Sequence, residues 1–200
     1  SNNLDYLNRV YLKIDLDKIC NNTKEVMKRV GKDTKVMAVV KADAYGHGAI
    51  EVSKALSEIG TYGFAVATVG EALALRRAGI TKPILILDFV FPNQFETIIR
   101  NDIMLTIFRY EIAKELNEAA EQMGTTVHIH IKVDTGMGRI GFIPDEESVD
   151  EIRRISQLPN VEIDGIFTHF ACADEADKTS MNKQFEKFKS FVKKLEEIGI

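Results

Sequence analysis

The chain has 200 residues, 45% of them hydrophobic and 28% charged, with a formal net charge of −4. That balance is typical of a globular domain that buries one sizeable core, and it includes neither the basic concentration expected of a nucleic-acid binder nor an acidic tail. Cys20 and Cys172 are too few for a disulfide framework, so a reducing, cytoplasmic setting is expected, and no apolar run is long enough to contact a membrane by spanning it.

Taken in chain order, residues 11–16 (Tyr-Leu-Lys-Ile-Asp-Leu) alternate apolar with polar. The pattern predicts a half-exposed antiparallel strand, and residues 1–17 are assigned to a second β-domain. Asp17 or Asn21 is suited to cap a helix running through residues 26–30. From residue 35 onward strand-like and helix-like stretches alternate with short connections. Strands are predicted over 35–41, 63–68, 84–89, 104–108, 127–134 and 163–170. Helices are predicted over 48–59, 71–78, 93–100, 111–123, 146–157 and 182–198, with Gly79, Gly124, Pro159 and Gly199 supplying stops.

These are six β-α units whose strands are nearly all apolar, as parallel strands covered by helices should be. A (β/α)8 TIM-type barrel and an open doubly wound sheet both fit. No strand leads into a Gly-x-Gly-x-x-Gly turn or a Walker sequence. Lys41, Lys132, Arg139 and His169 fall at or just beyond the ends of different strands, and a barrel gathers such groups at one mouth. The α/β barrel is therefore the expected fold, occupying residues 18–200. Eight units close such a barrel, so a truncated barrel with open edges is expected, and Ser1-Asn2 in place of an initiator methionine reads as the scar of an excised piece.

The most informative stretch is residues 37–48, Met-Ala-Val-Val-Lys-Ala-Asp-Ala-Tyr-Gly-His-Gly. A valine-rich strand ends in Lys41, at the edge of a core, where desolvation favours the neutral amine and makes it a nucleophile toward a carbonyl group. Tyr45 follows with its polar tip near the strand end, and Gly46 and Gly48 allow close backbone approach. Arg139 is bracketed by Gly138 and Gly141, a tight backbone suited to aiming an always-charged fork inward. Lys132 stands on an otherwise apolar strand, where a bare ammonium is costly. His128 and His130 alternate on one face of that strand. No carboxylate or cysteine lies at a spacing that completes a metal site, so packing is expected and no metal is assigned.

Three segments together carry a resemblance. Residues 39–48 resemble the pyridoxal-phosphate lysine motif of alanine racemases. Residues 132–141 (Lys-Val-Asp-Thr-Gly-Met-Gly-Arg-Ile-Gly) and 164–174 (Asp-Gly-Ile-Phe-Thr-His-Phe-Ala-Cys-Ala-Asp) are similar to that family's second and third motifs. Residues 64–67 and 71–76 fit in order between the first two, so the resemblance covers essentially the whole chain. It implies a pyridoxal 5'-phosphate-dependent isomerase that interconverts L- and D-alanine through an aldimine and an α-carbanion. Lys41 would hold the cofactor and then act as base at the α-carbon. Tyr45 would bind the phosphate, Arg139 the phenolic oxygen and the substrate carboxylate, and His169 would lie against the pyridine ring. Leu87 would line the pocket, and Lys132 would be carbamylated and hold Arg139 in place. Cys172, where relatives often carry threonine, reads as a small neutral substitution.

The resemblance further implies a homodimer whose second base, a tyrosine, comes from a carboxy-terminal domain of the other subunit. The 200-residue piece alone is then expected not to racemise. Two alternatives stay open on sequence: the serine racemase domain of a membrane-anchored protein, and a non-catalytic pyridoxal-phosphate-binding homeostasis barrel. The second lacks the Lys-Val-Asp-Thr-Gly-Met-Gly-Arg arrangement found at residues 132–139.

Overall fold

The structure is a computed structural model that describes residues 10–15, 35–39, 62–134, 141–168 and 178–200. Seven strands are described: β1 (Val10–Asp15), β2 (Lys35–Val39), β3 (Gly63–Val66), β4 (Ile84–Ile86), β5 (Met104–Ile107), β6 (Val127–Val133) and β7 (Val161–Thr168). Five helices accompany them: α1 (Val69–Arg77), α2 (Phe95–Arg100, entered through a 3-10 turn at Pro92–Gln94), α3 (Tyr110–Gln122), α4 (Glu146–Ser156) and α5 (Lys178–Glu197). The strands follow one another in sequence order around a closed barrel, and every pairing is parallel.

The α/β barrel expected from the β-α alternation is thus what the chain forms, with one correction. β1 is not an antiparallel strand of a separate domain. It pairs in parallel with β2 (Asp15 opposite Val39) and with β7 (Leu12 opposite Thr168). By standing there it joins the two ladders that a six-strand sheet would leave open, so seven strands close the ring and no bare edge remains among them. The predicted helices over 26–30 and 48–59 lie outside the described residues.

Two layers of apolar side chains hold the barrel. Alternate strand residues face outward: Phe64 and Val66, Ile84 and Ile86, Leu105 and Ile107, then Ile129 and Ile131 pack against Leu75, Ile98, Leu116, Ile152 and Phe188 of the helices. The inward residues Ala65, Leu85, Met104 and Phe167 form a smaller inner cluster, joined by Tyr62 and Leu87. Every member of these sets except the partly buried Tyr62 and Leu87 is buried.

The helices start where local chemistry satisfies their free amides. Thr68 Oγ1 accepts from the Glu71 amide at 3.2 Å and donates to Glu71 Oε1 at 3.2 Å, a reciprocal cap that starts α1 at Val69, two residues before the predicted start. Asp145 Oδ1 accepts from the Ser148 amide at 2.8 Å and starts α4. The Tyr110 amide, at the start of α3, donates to Glu151 Oε1 of α4 at 2.8 Å, while the Arg154 guanidinium lies 3.9 Å from the Tyr110 ring centre. Those two contacts fix α3 against α4.

On the opposite side, Arg76 closes the ends of two connections. Its guanidinium donates to the carbonyl oxygens of Ile80, Lys82, Asn101 and Asp102 at 2.8–3.0 Å. Burial lowers the pKa of Arg76 and the Asp102 carboxylate opposes that.

Candidate active site at the C-terminal mouth of the barrel

In a parallel barrel all strands end on the same face, and that face is where reactive groups collect. Its floor here is apolar. Ala65, Leu85, Met104 and Phe167 close the interior, and Leu87 packs onto them from the end of β4. The Leu87 amide donates to the Val66 carbonyl at 2.8 Å, which carries the β3–β4 ladder one step past Ile86 and holds Leu87 over the floor. The predicted strand over 84–89 ends sooner, at Ile86. The chain then turns out to the rim, where Phe89 and Phe91 are exposed and meet edge to face at 5.0 Å.

Lys132 is the next-to-last residue of β6, paired in register with Phe167. Its side chain is half-buried on the inward face, with Nζ 6.0 Å from the Phe108 ring centre. A second strand-like contact follows immediately. The Phe142 amide donates to the Lys132 carbonyl at 2.8 Å, and the Asp134 amide donates to the Phe142 carbonyl at 2.8 Å. Val133 and Phe142 are bridged in parallel. The chain between them is therefore tied at both ends to the rim of β6. Gly141 makes this approach feasible: a Cβ there would stand 3.1 Å from the Lys132 carbonyl oxygen and 3.2 Å from the Asp134 nitrogen. At the end of β7, Thr168 Oγ1 donates to the Val133 carbonyl at 2.9 Å and locks the two strand ends together.

Of the residues singled out in the sequence, Leu87 and Lys132 are described, and both face the interior near this mouth. Lys41, Tyr45, Arg139 and His169 lie outside the described residues, as does Cys172. The described strands that precede them end at Val39, Val133 and Thr168.

Below the mouth, β6 continues to point polar groups inward. His130 is fully buried, its ring 6.3 Å from that of Phe167. Burial, and secondarily His128, pushes its pKa down to about 3, so it is neutral. His128, near the start of β6, is the residue on which sequence spacing fails. The carboxylates that meet it come from the neighbouring strand: Asp164 Oδ1 at 2.8 Å and Glu162 Oε2 at 3.8 Å from His128 Nδ1. A partner 36 residues away across a parallel ladder leaves no local signature in the sequence.

Comparison with known proteins agrees with this architecture. A family model described as the alanine racemase N-terminal domain matches residues 14–200. The alanine racemase of Methanococcus maripaludis is 50% identical over 191 residues, covering 96% of this chain and 51% of that protein. That of Clostridium tetani is 49% identical over 195 residues, covering 98% and 50%. A solved alanine racemase from Clostridium difficile 630 is 42% identical and superposes with a TM-score of 0.79, over 94% of this chain and 50% of that one. The chain spans about half the length of the curated relatives it matches. It belongs to the family of the alanine racemase N-terminal domain.

Proposed function

We propose that this chain forms the cofactor-binding barrel of a pyridoxal 5'-phosphate-dependent racemase that interconverts L- and D-alanine. The observation that carries the reading is an alignment of strand ends. The three family motifs run across the ends of β2, β6 and β7, and those parallel strands terminate at one rim.

The described residues of the mouth fit the cofactor's chemistry. An apolar floor of Ala65, Leu85, Leu87 and Phe167 suits an aromatic ring, and Lys132 supplies a titratable amine beside it. When bound, pyridoxal 5'-phosphate provides an electron sink for negative charge at the substrate's α-carbon. The chain's own residues do the rest. Lys41 would hold the cofactor and would serve as a base at the substrate's α-carbon. Tyr45 binds the phosphate. Arg139 orients the substrate by pairing two N–H groups with its carboxylate. His169 would lie against the pyridine ring and Leu87 would line the pocket. Lys132, carrying a carbamate, is an anion that positions Arg139 from behind. The Phe142 ties at the end of β6 support that arrangement, because they hold both ends of the segment that contains Arg139.

Full turnover requires a second base on the opposite face of the substrate. The protein then works as a homodimer in which the partner supplies it, and the cytoplasm is its place of action. Among the described residues no helix is long and apolar enough to cross a membrane. Alanine is favoured over serine because the most similar proteins named above are alanine racemases. The reading is tested by comparing L-alanine and L-serine racemisation by the whole protein and its Lys41→Ala variant. Alanine turnover should dominate and vanish in the variant. Equal or greater serine turnover would overturn the substrate assignment.

A further inference from the structure

We propose that His128, Glu162 and Asp164 form a binding site for a borderline divalent transition ion of the Zn2+ type, at the N-terminal side of the barrel and opposite the mouth that holds Lys132. One ligand atom from each of the three residues lies within 4.8 Å of the other two. His128 Nδ1 is 2.8 Å from Asp164 Oδ1 and 3.8 Å from Glu162 Oε2. Ligand bonds of about 2.0–2.2 Å in a tetrahedral site place neighbouring donor atoms roughly 3.3 Å apart, which is the middle of that span. The third pair, Glu162 and Asp164, lies within 4.8 Å, and rotation of the exposed Glu162 side chain brings the three donors onto one ion.

The backbone builds this arrangement. His128 and Glu162 are register partners in the parallel β6–β7 ladder. Beyond Ile129–Ile163 the register slips, so that His130 pairs with Gly165 and Asp164 is the extra residue of a bulge. In an unbroken register Asp164 would stand opposite the buried His130. The bulge turns its carboxylate back onto His128 instead, and sets a glycine where no charge needs to be buried.

The donor chemistry selects the ion class. One imidazole nitrogen with two carboxylate oxygens suits Zn2+, Co2+ or Ni2+, whereas Mg2+ and Ca2+ favour all-oxygen shells. Two carboxylates balance the charge of a divalent ion. A recess of about 520 Å3, lined by Ser156, Glu162, Asp164 and Gly199, borders the two carboxylates on the side away from His128. The side chains are 38%, 62% and 29% exposed, so an ion can enter without local unfolding.

The test is calorimetric titration of the full chain with Zn2+ in a non-chelating buffer near neutral pH, followed by Co2+ with visible absorption. One ion should bind saturably, with a stoichiometry of one per chain. Glu162→Gln and His128→Gln should each weaken binding about tenfold or more. Glu162 is the most exposed of the three, so Glu162→Gln keeps the fold and decides the matter if His128→Gln unfolds the barrel; melting of the ion-free variants monitors this. Absence of a one-to-one site overturns the proposal. So does binding that Glu162→Gln leaves unchanged, since the ion is then held elsewhere.

Discussion

The Phe142 amide donates to the Lys132 carbonyl at 2.8 Å, and with the Asp134–Phe142 bond it returns the chain to β6 within eight residues of leaving it. The tie passes Gly141, where a Cβ would crowd the backbone of Lys132 and Asp134 more tightly than ordinary contact allows.

Gly141→Ala is therefore expected to be costly. The atoms its Cβ meets, at 3.1 and 3.2 Å, are main-chain atoms of Lys132 and Asp134 and cannot rotate aside. A loss of about 1–3 kcal/mol is expected, typical of overpacking at a close approach. Urea denaturation of the variant against the parent measures it; an unchanged midpoint would show that the loop has another way to sit.

His130 makes stability depend on pH in a definite direction. Its pKa is about 3 in the fold against 6.5 for a free imidazole, so between those values the unfolded chain holds the extra proton. Stability is then full above pH 6.5 and falls as the pH drops toward 3, by about 1.4 kcal/mol per unit at most from this one group. His130→Leu should flatten that limb of a plot of urea midpoint against pH. A limb equally steep in the variant would assign it to the carboxylates.

Arg76→Lys should destabilise the barrel although the charge is kept. One ammonium cannot reach the four carbonyl oxygens, of Ile80, Lys82, Asn101 and Asp102, that the planar guanidinium serves together. A loss of about 2 kcal/mol is expected, read as a lowered denaturation midpoint with unchanged slope.

Much of this fold is legible in the sequence, for a physical reason. Strands β3 and β4 are short continuous apolar runs, and β5 is interrupted only by Thr106, a pattern expected of strands buried on both faces. Alternation misleads in β1. By itself it predicts one wet face and an antiparallel partner, yet β6 (Val-His-Ile-His-Ile-Lys-Val) alternates as strictly and lies in the barrel wall with its polar residues inward. A barrel that points polar groups inward gives the same pattern as a half-exposed sheet. The start of α1 is set by Thr68 and Glu71, a capping pair that is local in the sequence and places the helix two residues before its apolar periodicity does. The cluster at His128 was beyond reach, because it depends on the β6–β7 register and on a one-residue bulge. Lys132 and Leu87 were identifiable from the motif and the strand end, and both face the interior.

If Lys132 carries a carbamate, the protein equilibrated with 13C-labelled bicarbonate should show one carbamate carbon resonance that Lys132→Ala removes. Its half-buried position on the inward face, next to Phe108 and in register with Phe167, shields such a group from hydrolysis. Identical spectra for parent and variant would contradict the modification.

The central claim is that one amine just beyond β2 anchors the cofactor at this mouth. Borohydride reduction of the protein loaded with pyridoxal 5'-phosphate, followed by peptide mapping, tests it most directly. The account predicts a single stable adduct on Lys41. An adduct on Lys132 or on surface lysines, with Lys41 unmodified, would contradict it.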